Sequence, residues 1–337
     1  MSQKPKLETV AREAGVSVAT VSQVMRGKGG ISEKTRRKVI AAAEKLHYVP
    51  DGRAASMRSG EKREIGMIIH RIANPFNAEV ISGVSDMLET EGYLVSVLDS
   101  QDDADRQRRN LEAFIQSSRG GLLWVPAQDT PKETVDLLKT HAIPTVTFLR
   151  QLELEAFDHV GIQNRDATYK ATKHLLSLGH RHIAFFGGVV GAEVRKDRVA
   201  GYRAALEEHG VLDLIDWDAP DDKVSGMNAM LALRENHPKV TAIVCNGDIV
   251  ALGACHALRR LGQIPGKQVS VIGFDDIQDA SVATPPLTTM AVRPYKLGQL
   301  LAQRLLDRLS NPAIPVTATL LPAELVSRET VNAPWSG

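Results

Sequence analysis

The stretch "AGVSVATVSQVM", residues 14–25, decides how the first part of the chain is read. Upstream of it Leu7, Val10, Ala11 and Ala14 recur at i, i+3, i+4 and i+7, which marks one face of a helix. Gly15 then stands where a left-handed cap residue is wanted. Ser17 is a good N-cap for a second helix, whose inward residues would be Val21 and Val24. A third helix is predicted from Ser32, with Val39, Ala42, Ala43 and Leu46 as its apolar stripe. Two short helices joined by a glycine turn and braced by a third make a helix-turn-helix.

In that geometry the second helix enters the major groove of DNA, its N-terminal residues nearest the base edges. Val18, Ala19, Ser22 and Gln23 would face outward. Gln23 can offer a bidentate pair of hydrogen bonds to adenine, and Val18 and Ala19 can pack on thymine methyls. Ser17, Thr20 and Ser22 suit phosphates, which position the protein without specifying sequence. Leu7 and Tyr48 complete the expected contact set from the head. Lys6, Arg26, Lys28, Lys34, Arg36 and Arg37 supply salt-dependent attraction. The charge distribution agrees: residues 1–60 hold 12 Lys/Arg against 5 Asp/Glu, while the rest holds 29 against 35. A basic head on an acidic body points to a polyanion partner for the head.

The segment "LETVAREAGVSVATVSQVMRGKGGISEKTRRKVIAAAEKLHYVP" resembles the head of the lactose repressor/galactose repressor (LacI/GalR) family without gaps. That family often carries Arg where this chain has Gln23, so the operator step read there should differ. "VPDGRAASMRSGEKRE", residues 49–64, follows as a linker rich in Gly, Pro and charge. Ala54 and Met57 lie three apart and Asp51 could cap a short helix there. About two turns are marginal alone in water, so such a helix would form when two copies meet on DNA. The resemblance gives a Leu in this hinge the role of a minor-groove wedge, which bends the duplex; Met57 stands there instead.

The whole chain has 337 residues, 43% of them hydrophobic, enough for two or three domains with a large core. No apolar run is long enough to span a bilayer. The N-terminus MSQKPKLETV has no apolar signal region, so a cytoplasmic location is expected. Cys245 and Cys255 are then expected as free thiols. From Ile65 on, the runs IGMII (65–69), YLVSVL (93–98), GLLWV (121–125), PTVTF (144–148), HIAFF (182–186), TAIVC (241–245) and VSVIGF (269–274) alternate with helical patterns such as Glu79–Thr90 and Ala167–Leu178. This predicts parallel, doubly wound sheets covered by helices, in two α/β lobes with a cleft between them. Ligands in such folds bind outside the carboxyl ends of the strands.

The segments at those ends, among them "HRIANPFNAEV", "GGVVGAEVRKDRVAGYRAAL", "CNGDIVALGA" and "IGFDDI", resemble the effector domain of the same family, related to periplasmic sugar-binding proteins. The resemblance implies three crossings between lobes, placed near Gln163, Ala291 and Pro322. The expected domains are a helix-turn-helix head over 1–49, a hinge over 50–63 and an effector-binding, dimerising core over 64–337. Lobe 1 would take 64–163 and 292–321, lobe 2 164–291 and 322–330. Matching by position, Phe76 would stack on a ligand ring, Arg198 would donate to the ligand and Asp275 would accept from its hydroxyls. The expected lining also takes in Arg71, Asn77, Trp124, Arg150, Asp221, Gly247 and Asp248.

Several positions depart from the sugar-binding pattern. Gly247-Asp248 stands where Asn-Asp is frequent, with Asn246 one place early. Leu149 stands where an Asp often precedes Arg150, His70-Arg71 where Pro-Asp is common, Val292 for a Gln, and Asp221 for an aromatic lid residue. Acceptors are lost and cationic donors gained at Arg71, Arg150, Arg198 and potentially Arg195. An acidic effector (a sugar acid, a sugar phosphate or a small carboxylate) is therefore expected alongside a neutral sugar.

Other signals lead nowhere. The histidines of "GHRH" (179–182) have no carboxylate or Cys to complete a metal set. "GGVVGA" (187–192) lacks both phosphate-loop spacings. There is no G-x-S-x-G elbow and no Cys with a convincing His partner. No catalysis, cofactor or metal is expected, which counts against a doubly wound enzyme. The basic head counts against a plain solute-binding protein. The reading is a ligand-responsive, sequence-specific transcriptional regulator, a repressor. It would bind near-palindromic double-stranded operator DNA as a homodimer, since the C-terminal stretch lacks the leucine heptads of a coiled-coil tetramer.

Overall fold

The computed structural model describes residues 5–26, 30–49, 63–117, 119–152 and 156–335. The chain divides into two compact units, Met1–Lys62 and Arg63–Gly337.

The head contains α1 (Leu7–Ala14), α2 (Val18–Met25) and α3 (Glu33–Lys45). Gly15 ends α1 in the left-handed region at φ 64°, returning its N–H to the last turn. The Ser17 and Ser32 hydroxyls accept from the N–H groups of Thr20 and Thr35 at 3.1 and 3.3 Å, capping α2 and α3. Val10, Ala11, Val21, Val24, Val39, Ala42 and Ala43 are buried together, with Leu7, Ala14, Leu46 and Tyr48 packed on them. The expected helix-turn-helix is the observed one. Ala54, Met57 and Lys28 lie outside the described residues.

In the second unit, one sheet has β1 (Glu64–Ile69), β2 (Leu94–Asp99), β3 (Gly121–Trp124), β4 (Thr145–Phe148), β5 (Asp158–Ile162) and β11 (Ala318–Leu321). Its order is β11-β5-β4-β3-β1-β2, parallel throughout. The other has β6 (Ile183–Phe186), β7 (Ile215–Trp217), β8 (Ala242–Cys245), β9 (Ser270–Asp275), β10 (Thr288–Ala291) and β12 (Glu324–Val326) in the order β12-β10-β9-β8-β6-β7. Only the edge strand β12 runs antiparallel. The chain thus changes sheet three times, after Ile162, after Ala291 and after Leu321.

All seven apolar runs form strands; all but β2 are buried nearly throughout, as strands covered on both faces must be, while β2 is a sheet edge with Leu94 exposed. Five further strands have weaker sequences. β5 reads DHVGI, and its Asp158 is tolerated in the interior only because Arg304 and Arg308 reach it at 2.7 and 2.8 Å. The covering helices that matter below are α4 (Pro75–Thr90), α5 (Ala104–Gln116), α6 (Lys132–Thr140), α7 (Asn164–Ser177), α8 (Glu193–Glu208), α9 (Lys223–Asn236), α10 (Asp248–Arg260), α11 (Gln278–Val282) and α12 (Pro294–Ser310). Their tightest pairings run through glycine. A Cβ on Gly83 of α4 would lie 2.0 Å from the Tyr295 carbonyl of α12, and one on Gly298 would lie 2.1 Å from that of Val80. Both cysteines are buried free thiols.

Candidate functional site

A cavity of about 120 Å³ opens between the two sheets, at the carboxyl ends of their strands. This is where an open α/β sheet offers loops and helix N-termini to a ligand. The first lobe contributes His70 and Arg71 after β1, Asn74 and Phe76 at the start of α4, Asp102 after β2, Gln128 after β3, and Leu149 and Arg150 after β4. The second contributes Val189 and Ala192 after β6, Val194, Arg195 and Arg198 from α8, Asp221 after β7, Asn246, Gly247 and Ile249 around the start of α10, and Asp275 at the end of β9.

Arg198 is buried, its guanidinium centre 3.6 Å from the Phe274 ring centroid. Its Nε donates to Asn164 Oδ1 at 2.9 Å and its Nη1 to the Asn246 carbonyl. Nη2 has no hydrogen-bond partner among the described residues, so a fixed guanidinium keeps donors for a ligand. Burial lowers its pKa, and the neighbouring Asp275 and Asp221 oppose that.

Asp275 is buried and lies at φ 118°, a strained backbone for a residue with a side chain. Desolvation holds its carboxyl well above the usual carboxylate range against the pull of Arg198, and the charges of Asp248 and Asp221 add to the rise. A Cβ on Gly247 would stand 3.3 Å from Asp275 Oδ2, so the missing side chain leaves that carboxylate its room. Asp221 accepts from Asn246 Nδ2 at 3.1 and 3.0 Å. Burial raises its pKa too, outweighing Asn246 and the arginines.

The other arginines are committed. Arg150 makes a bidentate pair with Asp102, its Nη2 at 2.9 Å from Oδ2, and also reaches the Pro126 carbonyl at 3.1 Å. Burial would raise the Asp102 pKa, but the Arg150 hydrogen bonds and charge outweigh it and leave it lowered. Arg195 pairs with Asp216 and donates to the Gly187 carbonyl at 2.9 Å. Arg71 reaches across the cleft to the Asp221 carbonyl at 3.4 Å. Burial, aided by Arg150 and Arg71, lowers the His70 pKa to about 3, so its ring is neutral.

Of the residues named from sequence, Arg71, Phe76, Arg150, Arg198, Asp221, Gly247 and Asp275 line this cavity. Three do not. Trp124 is fully buried elsewhere, its indole N–H on Gln107 Oε1 at 2.8 Å and its ring edge-on to Phe157. Asp248 turns inward, accepting from the Thr289 hydroxyl at 2.6 Å and the Ile277 N–H at 3.0 Å. Asn77 is buried and donates to the Arg71 carbonyl at 2.7 Å, supporting that loop. The sequence reading missed Asp102, Gln128 and the apolar residues Val189, Ala192, Val194 and Ile249. Asp102 follows its strand at φ 60°, and an Asp at a strand's carboxyl end was the available signal.

On the head, Ser17, Val18, Ala19, Gln23 and Arg26 are exposed, Thr20 and Ser22 half-buried, and Leu7 and Tyr48 partly buried against the small core. Arg26 folds back on Ser22, with Nε on its carbonyl at 2.9 Å and Nη2 on its hydroxyl at 2.7 Å. Among the described residues no helix is long and apolar enough to cross a membrane.

Comparison with known proteins agrees with both halves. Residues 6–51 match the bacterial regulatory proteins of the lacI family, and residues 172–331 match a periplasmic binding protein-like domain. The chain is 32% identical to the HTH-type transcriptional repressor PurR of Pectobacterium carotovorum subsp. carotovorum over 90% of each chain. It is 31% identical to the ribose operon repressor of Halalkalibacterium halodurans over 97% of each. The crystal structure of the lac repressor dimer bound to operator and the anti-inducer ONPF superposes with a TM-score of 0.84 at 26% identity, covering 98% of this chain and 100% of that one. A capped helix-turn-helix in one chain with a two-lobed, polar-floored cleft, and full-length similarity to such repressors, place this protein in the lacI family of bacterial regulatory proteins.

Proposed function

We propose that this lacI-family regulator represses transcription as a homodimer on a near-palindromic operator, and that a neutral, polyhydroxylated small molecule in the cleft sets its operator affinity. In each head Gln23 reads a base edge while Ser17, Thr20 and Ser22 hold phosphates. The residues of the hinge, 50–63, carry the ligand's effect to the heads, with Ala54 and Met57 meeting the minor groove. The chain catalyses no reaction in this reading.

The choice of effector class rests on one observation. Arg150 and Arg195 each have a carboxylate partner, Arg71 is held on a carbonyl, and three carboxylates, Asp102, Asp221 and Asp275, stand in the lining. Arg198 keeps open donors, but an anion on it would stand beside Asp221 and Asp275; on the other three arginines it would have to displace the partner already present. Hydroxyls need both donors and acceptors, which Arg198 with Asp275 and Asp221 supply. The expectation of an acidic effector counted the arginines without their partners.

The test is a thermal-shift series with neutral sugars, sugar acids and sugar phosphates. A ligand at about 100 times its Kd stabilises by roughly 2.7 kcal/mol, a shift of several degrees. Neutral compounds should raise the melting temperature. A rise with anionic compounds alone would overturn the assignment.

A further inference from the structure

Asp275 enters the cleft from a backbone that a residue with a side chain adopts only under constraint. It stands at φ 118° and the next residue, Asp276, at φ 60°, so two successive residues without glycine's freedom lie at positive φ. Such a turn relaxes unless its surroundings over-determine it. Two groups outside the cavity lining do so. One is Asp248, buried completely. Its Oδ2 accepts from the Ile277 N–H at 3.0 Å and its Oδ1 from the Thr289 hydroxyl at 2.6 Å, which ties the end of the turn to β10. Gly273 leaves that carboxyl its place, since a Cβ there would stand 2.0 Å from Asp248 Oδ1. The other is Arg328, which follows β12, the strand that re-enters the second lobe after the third crossing. Its Nη2 donates to Asp276 Oδ1 at 2.6 Å and its Nη1 to the Leu287 carbonyl at 2.7 Å. Its backbone N–H donates to the Thr288 hydroxyl at 2.9 Å, so the guanidinium hangs from a fixed point. The Arg328 and Asp276 side chains are only 18% and 23% exposed, which shields this pair far more than a surface one.

We infer that Arg328 and Asp248 are positioning residues for the effector: acting through Asp276 and Ile277, they hold the turn 275–277 in its strained form and so set the direction in which the Asp275 carboxyl meets a ligand. The inference rests on the reading of the cleft as an effector site and adds to it two residues that touch no ligand. A contacting group is only as precise as the side chains that lock it. The two roles such residues can have leave different traces. A purely structural pair, once removed, lowers stability and leaves the affinity of the folded protein alone. A pair that holds strain releases it when removed, so part of the lost ion pair is offset and affinity suffers most.

The experiment uses the full-length protein with Arg328→Met and Asp276→Asn combined, which removes the ion pair and leaves the net charge of the turn unchanged. The crystal structure of this double variant should show Asp275 at negative φ, its carboxyl turned away from Gly247. Calorimetric titrations use neutral mono- and disaccharides, D-ribose, D-glucose, D-galactose and cellobiose among them. Any that binds the wild type should bind the double variant about tenfold or more weakly, the loss of one charge-assisted hydrogen bond. Melting should stay cooperative and operator affinity without sugar should not change. Arg328→Lys, which keeps a cation for Asp276, should recover part of the affinity. Asp248→Ala should weaken binding as the double variant does, and Asp248→Asn, which keeps an acceptor for Ile277, should not. Asp275 still at positive φ in the double variant, or a sugar affinity that the variant leaves unchanged, overturns the positioning role and leaves the reading of the cleft standing. Failure of every neutral sugar to bind the wild type overturns that reading alone, and the crystal structure of the variant still decides what holds the turn.

Discussion

In the proposed function Gln23 and Asp275 carry the two recognition events, and each can be replaced without touching the other. Gln23 is exposed on α2, so Gln23→Ala costs no core contact. It should weaken the best operator by about 1–3 kcal/mol and relax preference at one base pair, measured by binding to a set of operator variants. Unchanged selectivity would remove Gln23 from the reading set. Asp275 is buried at φ 118° with its carboxyl pushed well above the usual range by desolvation. Its strain and burial both cost stability, as functional positions often do. Asp275→Asn should therefore abolish the response of operator binding to ligand while raising, or at least keeping, the melting temperature. A variant with normal response would place the ligand elsewhere. At this scale the sequence was partly legible. Arg198 and Asp275 could be named because their motifs flank strong strands. Asp102 left only the weak signal of its place after β2, because its role depends on Arg150, 48 residues away, turning to meet it. Trp124 misled for the converse reason: a strand-end aromatic points to either face, and here Gln107 holds it in the core.

The elements of the body owe their spacing to glycine. α4 and α12 touch through Gly83 and Gly298, and α7 and α8 through Gly201, whose Cβ would stand 2.0 Å from the Arg165 carbonyl. α9 and α10 do the same through Gly226 and Gly253. In each case the obstacle is backbone, which cannot rotate away. Gly83→Ala should cost about 1–3 kcal/mol by overpacking lobe 1, seen as a lower midpoint in chemical denaturation with little change in slope. A neutral outcome would mean the two helices can separate cheaply. The long apolar strands and the periodic helices were legible because burial on both faces, or on one stripe, writes itself into composition. β5, β7, β10, β11 and β12 were not. They are three to five residues long, and three, β7, β11 and β12, are sheet edges. β5 hides behind polar letters whose partners, Arg304 and Arg308, lie in α12.

At the level of the whole molecule, buried titratable groups pull stability in opposite directions with pH. Desolvation raises Asp248 to about 7, so the folded chain keeps a proton that the unfolded chain has released. Stability from this group falls as pH rises from about 4 to about 7. Burial lowers His159 to about 4 and His70 to about 3, so the unfolded chain binds protons that the folded chain refuses. Their contribution is lost as pH falls below about 6.5. Asp248→Asn can still accept from Ile277 and meet Thr289, so the difference in melting temperature between variant and wild type should grow in the variant's favour from about pH 5 to pH 7.5. A pH-independent difference would contradict the buried, protonated carboxyl. The central claim is coupling between cleft and operator, and its most direct measurement is a pair of titrations with the sugar that most raises the melting temperature. Operator affinity is measured by fluorescence anisotropy with and without saturating sugar, and sugar affinity by calorimetry with and without operator. The account predicts that both change by one common factor, in the range of about 5 to 150 that couplings of 1–3 kcal/mol produce. An operator affinity that saturating sugar leaves unchanged would contradict it.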